Sequence, residues 1–223
     1  MGKPASAACL TEAPPAPVGA LPPLVRPDAR VGLFGGTFDP VHLGHLALAQ
    51  TAVRELALDH LFFIPASQAP LRDGPPAASA TDRLELLRRA LAEAANPRFG
   101  LLDLEAAAPG VHYTVDTVRQ LHAAWPRAQL FWLLGADQLA QLDRWREPRE
   151  LAQLAEFAVL DRPGQPPSTL PASVPGLRLH RLTGPTHPAS ASAIRRRLHA
   201  GEPGDLWLPP AAAAAIEERQ LYR

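Results

Sequence analysis

The sequence is short of lysine and cysteine, and each shortage excludes a class of chemistry. Lys3 is the only lysine among the 22 Lys and Arg residues, so the rest of the chain has no lysine for a Schiff base or a Walker-type phosphate loop. Cys9 is the only cysteine, which excludes an internal disulfide bond and a CxxC zinc site. We therefore expect arginine to supply any permanent positive charge that binds a phosphate, through its planar fork of N–H groups.

The chain also lacks net charge and long apolar segments. Its 22 Lys and Arg residues balance 22 Asp and Glu residues, so no global field attracts it to nucleic acid or to a membrane surface. No apolar run approaches the length of a membrane span, and the first residues lack the apolar core of a signal peptide. These absences, with the single cysteine, predict a cytoplasmic protein whose partners include neither nucleic acid nor membrane. They leave open whether it is a monomer or a homo-oligomer.

Alanine and proline dominate the first 28 residues. Such a composition does not build a packed element, so residues 1–28 are predicted to form a disordered arm. The remaining residues, 29–223, have a length typical of one domain, and the apolar share of the chain, 47%, is sufficient for a full core.

From Arg30 onward, short apolar runs alternate with segments of helical periodicity. Strands are predicted over residues 31–34, 60–64, 100–104, 129–134, 156–160 and 177–182. Helices are predicted over residues 43–56, 82–94, 114–125, 148–154, 192–199 and 210–219, with Thr81 or Asp82 as the N-cap of the second. This alternation indicates an α/β fold, with an open parallel sheet covered by helices on both faces.

The segment from Val31 to His45 carries the strongest functional signal. Its sequence is Val-Gly-Leu-Phe-Gly-Gly-Thr-Phe-Asp-Pro-Val-His-Leu-Gly-His. Gly35 and Gly36 follow the first strand, where they are predicted to turn the chain sharply and to bring backbone N–H groups close to a ligand. His42 and His45 are three residues apart at the start of a helix, so their imidazoles share a face at the positive end of the helix dipole. This arrangement favours a polyphosphate ligand and therefore nucleotide chemistry.

The same histidines allow a second interpretation. Their spacing can bind zinc, with Asp39 as a third ligand, so a zinc hydrolase is a remote alternative. However, the segment has no His-Glu-x-x-His pattern, and a zinc site gives the two glycines no role. It also lacks the Gly-x-Gly-x-x-Gly and Gly-Lys-Ser/Thr patterns, which disfavours a conventional dehydrogenase or a P-loop kinase.

Three further segments can complete a nucleotide site. In Ser190-Ala-Ser-Ala-Ile-Arg195, a serine can cap the next helix, and Arg195 can bind a phosphate or be solvated. Gly135 follows a buried strand, and Asp137 can accept ribose hydroxyl groups, orient a magnesium-bound water or simply cap a helix. Tyr113-Thr114 and Trp145 offer aromatic rings for stacking on a heteroaromatic base, although such residues are more often the edge of a core.

Taken together, these segments resemble the bacterial nicotinate-nucleotide adenylyltransferases, in the nucleotidyltransferase superfamily that has a His-x-Gly-His motif. The resemblance runs from about Val31 to Leu221-Tyr-Arg and is carried above all by Gly35–His45 and Ser190–Arg195. Gly135–Asp137, Trp145, Tyr113-Thr114 and Asp161-Arg-Pro-Gly164 are similar to the family's other segments.

The resemblance implies a Rossmann-like nucleotidyltransferase domain that transfers the adenylyl group of ATP to nicotinate mononucleotide. The products are nicotinate adenine dinucleotide and pyrophosphate, and Mg²⁺ arrives bound to the ATP phosphates, with no protein metal ligand. A sister activity on nicotinamide mononucleotide or phosphopantetheine, or a non-catalytic nucleotide-binding module, remains an alternative.

The resemblance also assigns roles to residues. It implies a catalytic role for His42, His45 and Arg195. It implies ATP binding by Gly35, Gly36, Thr37, Phe38, Asp39, Gly135, Asp137, Ser190, Ser192 and Ile194, and binding of the second substrate by Arg72, Tyr113, Thr114 and Trp145. Two departures from the family pattern stand out: Leu71 replaces a histidine that precedes the cation, and Ala191-Ser192 replaces a Ser-Thr pair.

Overall fold

A computed structural model describes residues 21–68, 74–106, 111–160, 174–185, 187–203 and 205–223. Its six strands are β1 (Arg30–Gly36), β2 (His60–Pro65), β3 (Phe99–Leu101), β4 (Gln129–Gly135), β5 (Glu156–Leu160) and β6 (Leu179–Leu182). They form one parallel sheet in the order β3-β2-β1-β4-β5-β6. The strand order reverses between β1 and β4, and sheets of this kind bind ligands beyond the carboxyl ends of the strands at that reversal. The predicted open parallel sheet is confirmed.

The helices of the described residues are α1 (Leu43–Glu55), α2 (Ala80–Ala94), α3 (Thr114–Ala124), α4 (Ala136–Leu139), α5 (Pro148–Leu154), α6 (Ala191–His199) and α7 (Pro210–Glu218). Two 3₁₀ segments, Leu142–Arg144 and Asp205–Trp207, complete the secondary structure. The sequence predicts six of these seven helices, whereas the short α4 and the 3₁₀ segments were not predicted. Within the described part of the chain, no helix is long and apolar enough to cross a membrane.

Alternate residues of the central strands belong to two apolar clusters. Phe34 and Phe131 pack in the cluster that includes residues of α1, α2, α6 and α7. Leu33 and Trp132 pack in the cluster that includes residues of α3 and α5. Successive side chains of a strand point to opposite faces, so these two clusters are the two sides of the sheet. Burial on both faces explains why the strands are nearly continuous apolar runs.

The start of α2 differs from the sequence prediction. Ser79 is the N-cap, because its Oγ accepts a hydrogen bond from the backbone N–H of Asp82 at 3.1 Å. The assignment of the cap to Thr81 or Asp82 was therefore wrong. Asp82 instead occupies the first turn, where its negative charge is favourable at the positive end of the helix dipole.

The turn after β1 also lies later than predicted. Gly35 and Gly36 are the last residues of β1, and the chain turns at Phe38, which has a left-handed φ of 48°. A Cβ at position 35 would lie 2.3 Å from Cζ2 of Trp132 on β4. Gly35 is therefore required because the indole of Trp132 packs across it, and the predicted sharp turn at these glycines was wrong.

Residues 21–28 contact the domain, although the sequence assigns them to the arm. Leu21 and Leu24 pack against the cluster that contains Trp132. The guanidinium of Arg26 forms an ion pair with Asp59 at 2.9 Å. The packed part of the chain thus begins before residue 29, and residues 1–20 lie outside the described residues.

Candidate active site

A cavity of about 640 Å³ lies at the carboxyl ends of β1 and β4. It is lined by Gly35, Gly36, Thr37, Ala66, Glu105, His112, Tyr113, Thr114, Trp132, Asp137, Gln138, Gln141, Arg144, Trp145 and Arg146. Backbone groups of β1 and polar side chains therefore share one space with aromatic rings. This combination, at the reversal of the strand order, fits a nucleotide.

The two histidines, which are not among the residues that line the cavity, stack where the loop after β1 leads into α1. Their ring centroids are 3.6 Å apart, and His42 is the N-cap of α1. The backbone N–H of His42 donates to Nδ1 of His45 at 3.2 Å, which assigns the ring proton of neutral His45 to Nε2. A Cβ at position 44 would lie 3.0 Å from Nδ1 of His42, so the glycine between the histidines allows the rings to stack.

Burial favours the neutral form of both imidazoles in the free protein. Burial, with a smaller contribution from the His187 imidazole, lowers the pKa of His42 to about 4. Burial also lowers the pKa of His45 well below its usual value, and the neighbouring His42 adds to this effect. Near neutral pH these residues can therefore offer N–H groups to a phosphate, but not a full positive charge.

Arg195 lies close to the start of α1. Its Nη1 donates to the backbone carbonyl oxygen of Asp39 at 2.6 Å and is 3.7 Å from the Asp39 carboxylate. The N-cap of α6 is Ser190, whose Oγ accepts from the Ala193 N–H at 3.2 Å, so Ser190 rather than Ser192 caps this helix. The α6 helix thus brings a guanidinium to the loop that ends in the histidine pair.

The Asp39 side chain is buried, at 1% exposure, and forms several hydrogen bonds. Its carboxylate accepts from the backbone N–H groups of Ala77 and Ala78 and from the hydroxyl of Tyr222 at 2.8, 3.1 and 2.9 Å. These bonds occupy both carboxylate oxygens. In the described part of the chain, no three His, Cys, Asp or Glu side chains are placed to hold a metal ion. Among the described residues, the zinc hydrolase alternative therefore has no third ligand beside the histidine pair.

The other site residues predicted from the sequence lie in four places. Seven of them line the cavity: Gly35, Gly36, Thr37, Tyr113, Thr114, Asp137 and Trp145. Phe38 and Ile194 are buried in the apolar core, where Phe38 packs against the His45 ring at 5.0 Å between centroids. Gly135 precedes α4, where a Cβ would lie 2.6 Å from the Asp137 carboxylate. Leu71, Arg72 and residues 161–164 lie outside the described residues.

Arg83 is a site residue that the sequence analysis missed. It is 1% exposed, and its Nη1 donates to the carbonyl oxygens of Thr37 and Ala66, both at 2.7 Å. Arg83 therefore ties the loop after β1 to the loop after β2. The sequence pattern of α2 could have predicted that Arg83 is buried. Leu86, Leu87 and Ala90 follow it at helical spacing and place it on the buried face of the helix.

Glu105 was also missed. It lines the cavity at 6% exposure and accepts a hydrogen bond from the Thr117 hydroxyl at 2.7 Å. Burial raises the pKa of Glu105, while Thr117 and the charge of His112 act in the opposite direction. Nearby, the Arg146 guanidinium lies over the Tyr113 ring, 4.9 Å from its centroid. The aromatic end of the cavity thus contains both an acidic and a basic group.

Comparison with known proteins shows relatives over most of the chain. Residues 33–197 match the model of the cytidylyltransferase-like family. A protein of Opitutus terrae named a probable nicotinate-nucleotide adenylyltransferase is 41% identical over 194 residues, which are 87% of this chain and 98% of the relative. A protein of Bordetella pertussis with the same name is 44% identical over 199 residues, with coverage of 87% and 98%.

Solved structures show the same fold at lower sequence identity. The nicotinic acid mononucleotide adenylyltransferase of Plasmodium falciparum, complexed with NaAD, has a TM-score of 0.67 and 16% identity, and the match covers 87% of this chain and 97% of that one. At this identity the likeness concerns the fold alone, whereas the curated relatives are similar along the sequence. The chain therefore belongs to the cytidylyltransferase-like family and, within it, to the nicotinate-nucleotide adenylyltransferases.

Proposed function

We propose that this protein transfers the adenylyl group of ATP to nicotinate mononucleotide, a step in NAD biosynthesis. The relatives of similar length carry the name of this activity. The observation that carries the proposal is the cavity at the strand reversal. It extends from the backbone of Gly35 and Gly36 to the rings of Tyr113 and Trp145, and the loop after Gly36 leads to the histidine pair at the start of α1.

In this reaction a phosphate oxygen of nicotinate mononucleotide attacks the α-phosphorus of ATP. The bond from that phosphorus to the oxygen that bridges it to the β-phosphorus breaks, and pyrophosphate leaves with the electron pair. Such a transfer needs mainly the positioning of the substrates and the stabilisation of charge. No covalent intermediate on the protein is required, in agreement with the scarcity of lysine and cysteine.

The phosphates would bind where β1, α1 and α6 meet. Gly35, Gly36 and Thr37 offer backbone and hydroxyl donors from the cavity wall. His42 and His45 would stabilise charge on the transferring and leaving phosphates through N–H groups, since both imidazoles are neutral. The guanidinium of Arg195 would bind the β- and γ-phosphates, aided by the backbone around Ser192 at the start of α6.

The two nucleosides would occupy the rest of the cavity. Asp137 would accept ribose hydroxyl groups next to the backbone of Gly135. Tyr113, Thr114 and Trp145 would hold the pyridine nucleotide, with the two rings available for stacking. We assign Arg72 to binding of the second substrate from the sequence alone.

Magnesium would reach this site as part of the ATP complex. Among the described residues, no three His, Cys, Asp or Glu side chains form a cluster that could hold a metal ion. Magnesium prefers phosphate oxygens and water, and these ligands come with the nucleotide. We place the reaction in the cytoplasm, on the argument from cysteine usage.

One assay tests the proposal and its alternatives. Pyrophosphate release from Mg-ATP is measured in parallel with nicotinate mononucleotide, nicotinamide mononucleotide and phosphopantetheine as acceptors. We expect the highest kcat/KM with nicotinate mononucleotide. A higher value with either other acceptor would reassign the substrate, and ATP binding without pyrophosphate release from any acceptor would indicate a non-catalytic nucleotide-binding module.

A further inference from the structure

Tyr222, near the end of the sequence, lies against the loop that precedes the histidine pair. Its hydroxyl donates to Oδ1 of Asp39 at 2.9 Å, and the residue packs against the apolar cluster that includes Phe34 and Phe131. Burial, followed by the charge of Asp39 and the hydrogen bond to it, raises the pKa of Tyr222 far above its usual value. The phenol therefore keeps its proton and acts as a donor toward Asp39.

The Asp39 carboxylate accepts hydrogen bonds from two backbone N–H groups and one hydroxyl group. Its Oδ1 accepts from Tyr222 and from the Ala78 N–H, and its Oδ2 accepts from the Ala77 N–H at 2.8 Å. Arg195 is a cation beside the carboxylate, with its Nη1 3.7 Å from Oδ2. This distance exceeds that of a hydrogen bond, and Arg195 is held instead through the Asp39 carbonyl oxygen at 2.6 Å. The Arg83 guanidinium also acts on Tyr222 through its charge, but it is engaged by the carbonyl oxygens of Thr37 and Ala66.

We propose that Tyr222 is a positioning residue for the triphosphate, because its hydrogen bond to Asp39 keeps the Arg195 guanidinium available to ATP. This inference rests on the proposed function, in which Arg195 binds the phosphates of ATP. Asp39 is almost fully buried, so it cannot replace a lost donor with bulk water. Without the Tyr222 hydroxyl, the Arg195 guanidinium, already 3.7 Å from Oδ2, is a charged donor that can move onto the carboxylate. A tighter pair between Asp39 and Arg195 withdraws the guanidinium from the phosphates.

The test compares Tyr222→Phe with Arg219→Gln as a matched control. Arg219 also joins the C-terminal part of the chain to the rest of the domain, through a 2.8 Å ion pair with Asp82, and no described contact links it to Asp39. We expect Tyr222→Phe to raise the KM and Kd for ATP about tenfold, equivalent to about 1.4 kcal/mol, with the KM for nicotinate mononucleotide unchanged within about twofold. The Arg219→Gln variant should keep the wild-type KM for ATP.

A double-mutant cycle with Arg195→Lys separates this role from general support of the fold. If Tyr222 acts through the guanidinium, Tyr222→Phe should have little further effect on ATP binding in the Arg195→Lys background. An unchanged Kd for ATP in Tyr222→Phe would overturn the inference, as would full additivity of the two substitutions. Failure of the proposed function is recognised independently, because the wild-type protein would then bind no ATP or release no pyrophosphate.

Discussion

The His45 ring contacts neighbouring groups on several sides, and its Nε2 is the polar atom that remains for a substrate. Its Nδ1 accepts the His42 N–H, and the rings of Phe34 and Phe38 lie 5.9 and 5.0 Å from its ring centroid. The Nε2–H is therefore the group that can reach a phosphate. A donor fixed in this way is already oriented before the transition state forms, which is the condition under which a single donor contributes most to the rate.

Substitution of His45 tests this role. We expect His45→Ala to lower kcat about 100-fold or more, because one preorganised donor to the transferring phosphates is lost. Thermal unfolding should still be a single cooperative transition. His199→Ala, on the exposed end of α6, is the matched control and should retain wild-type turnover. Near-normal kcat in His45→Ala would remove this residue from the mechanism.

Arg195 supplies a fork of N–H groups that lysine cannot reproduce. We expect Arg195→Lys to raise the KM for ATP and to lower kcat, because the charge is kept while the two-point contact with phosphate is lost. Steady-state kinetics with varied Mg-ATP measure both effects. Unchanged ATP affinity and turnover would place Arg195 among the solvated arginines of α6, as the alternative interpretation of its sequence holds.

The low pKa of His42 makes stability depend on pH. The folded protein holds this imidazole neutral down to about pH 4, whereas the unfolded chain protonates it near 6.5. The unfolded state therefore binds more protons between these values, so this contribution to stability is complete above pH 6.5 and is lost as the pH falls toward 4. Histidine C2–H resonances should show His42 titrating near 4 in the free protein, and a midpoint near 6.5 would contradict this account.

At the scale of elements, two requirements conflict at Gly44 in the first turn of α1: the stability of the helix and the space that the His42 ring needs. Alanine is the better helix former, by up to about 1 kcal/mol, so Gly44→Ala should preserve or raise the stability of the helix. However, the added Cβ would lie 3.0 and 3.1 Å from Nδ1 and Cε1 of His42. The imidazole must then move by a few tenths of an ångström relative to His45.

We therefore expect Gly44→Ala to reduce kcat about tenfold, while the free energy of unfolding does not fall; even small misplacements of a catalytic group cost rate. Ala47→Gly, later in the same helix, is the control, and we expect it to affect stability rather than activity. It should lose about 1 kcal/mol of stability and keep its activity. A Gly44→Ala enzyme with full turnover would show that the stacking of the two rings has no catalytic consequence.

Elements with strong local signals were predicted closely. The α5 helix spans Pro148–Leu154 and β5 spans Glu156–Leu160, as the sequence predicts, because a proline suits the first helical turn and the apolar run is sharply bounded. By contrast, β3 ends at Leu101 rather than at residue 104. It is an edge strand that pairs only with Leu61–Phe63 of β2, and the apolar run continues beyond the pairing because Leu102 packs in the core.

At the scale of the whole molecule, Arg83 joins segments that are distant in sequence. Besides Thr37 and Ala66, its guanidinium donates to the carbonyl oxygens of Ser67 and Ala78 at 3.1 and 3.3 Å. We expect Arg83→Gln to lower the free energy of unfolding by about 3 kcal/mol or more, since several buried carbonyl groups lose a charged donor. Chemical denaturation measures this loss. Arg88→Gln, also on α2, should lie within about 0.5 kcal/mol of wild type.

Local sequence patterns predicted where the candidate site lies, but they did not predict the tertiary contacts that support it. The strand, the paired glycines and the two histidines lie within the 15 residues from Val31 to His45, so their order along the chain places them at the carboxyl end of β1. The reason for Gly35 could not be found in this way. The indole that requires it lies on β4, and the pairing of β1 with β4 brings the two together.

Two periodicities thus predicted the parallel α/β fold that the structure shows, because helical and strand patterns act between near neighbours. A short loop motif predicted a phosphate loop after its first strand, and this remains a proposal. Only the tertiary structure shows which groups donate hydrogen bonds to the Asp39 carboxylate. Its three hydrogen-bond donors, Ala77, Ala78 and Tyr222, are 38, 39 and 183 residues away in the sequence. Hydrogen bonds between residues so far apart produce no periodic pattern in the sequence. The contact between Tyr222 and the loop before the histidine pair could therefore be found only in the tertiary structure.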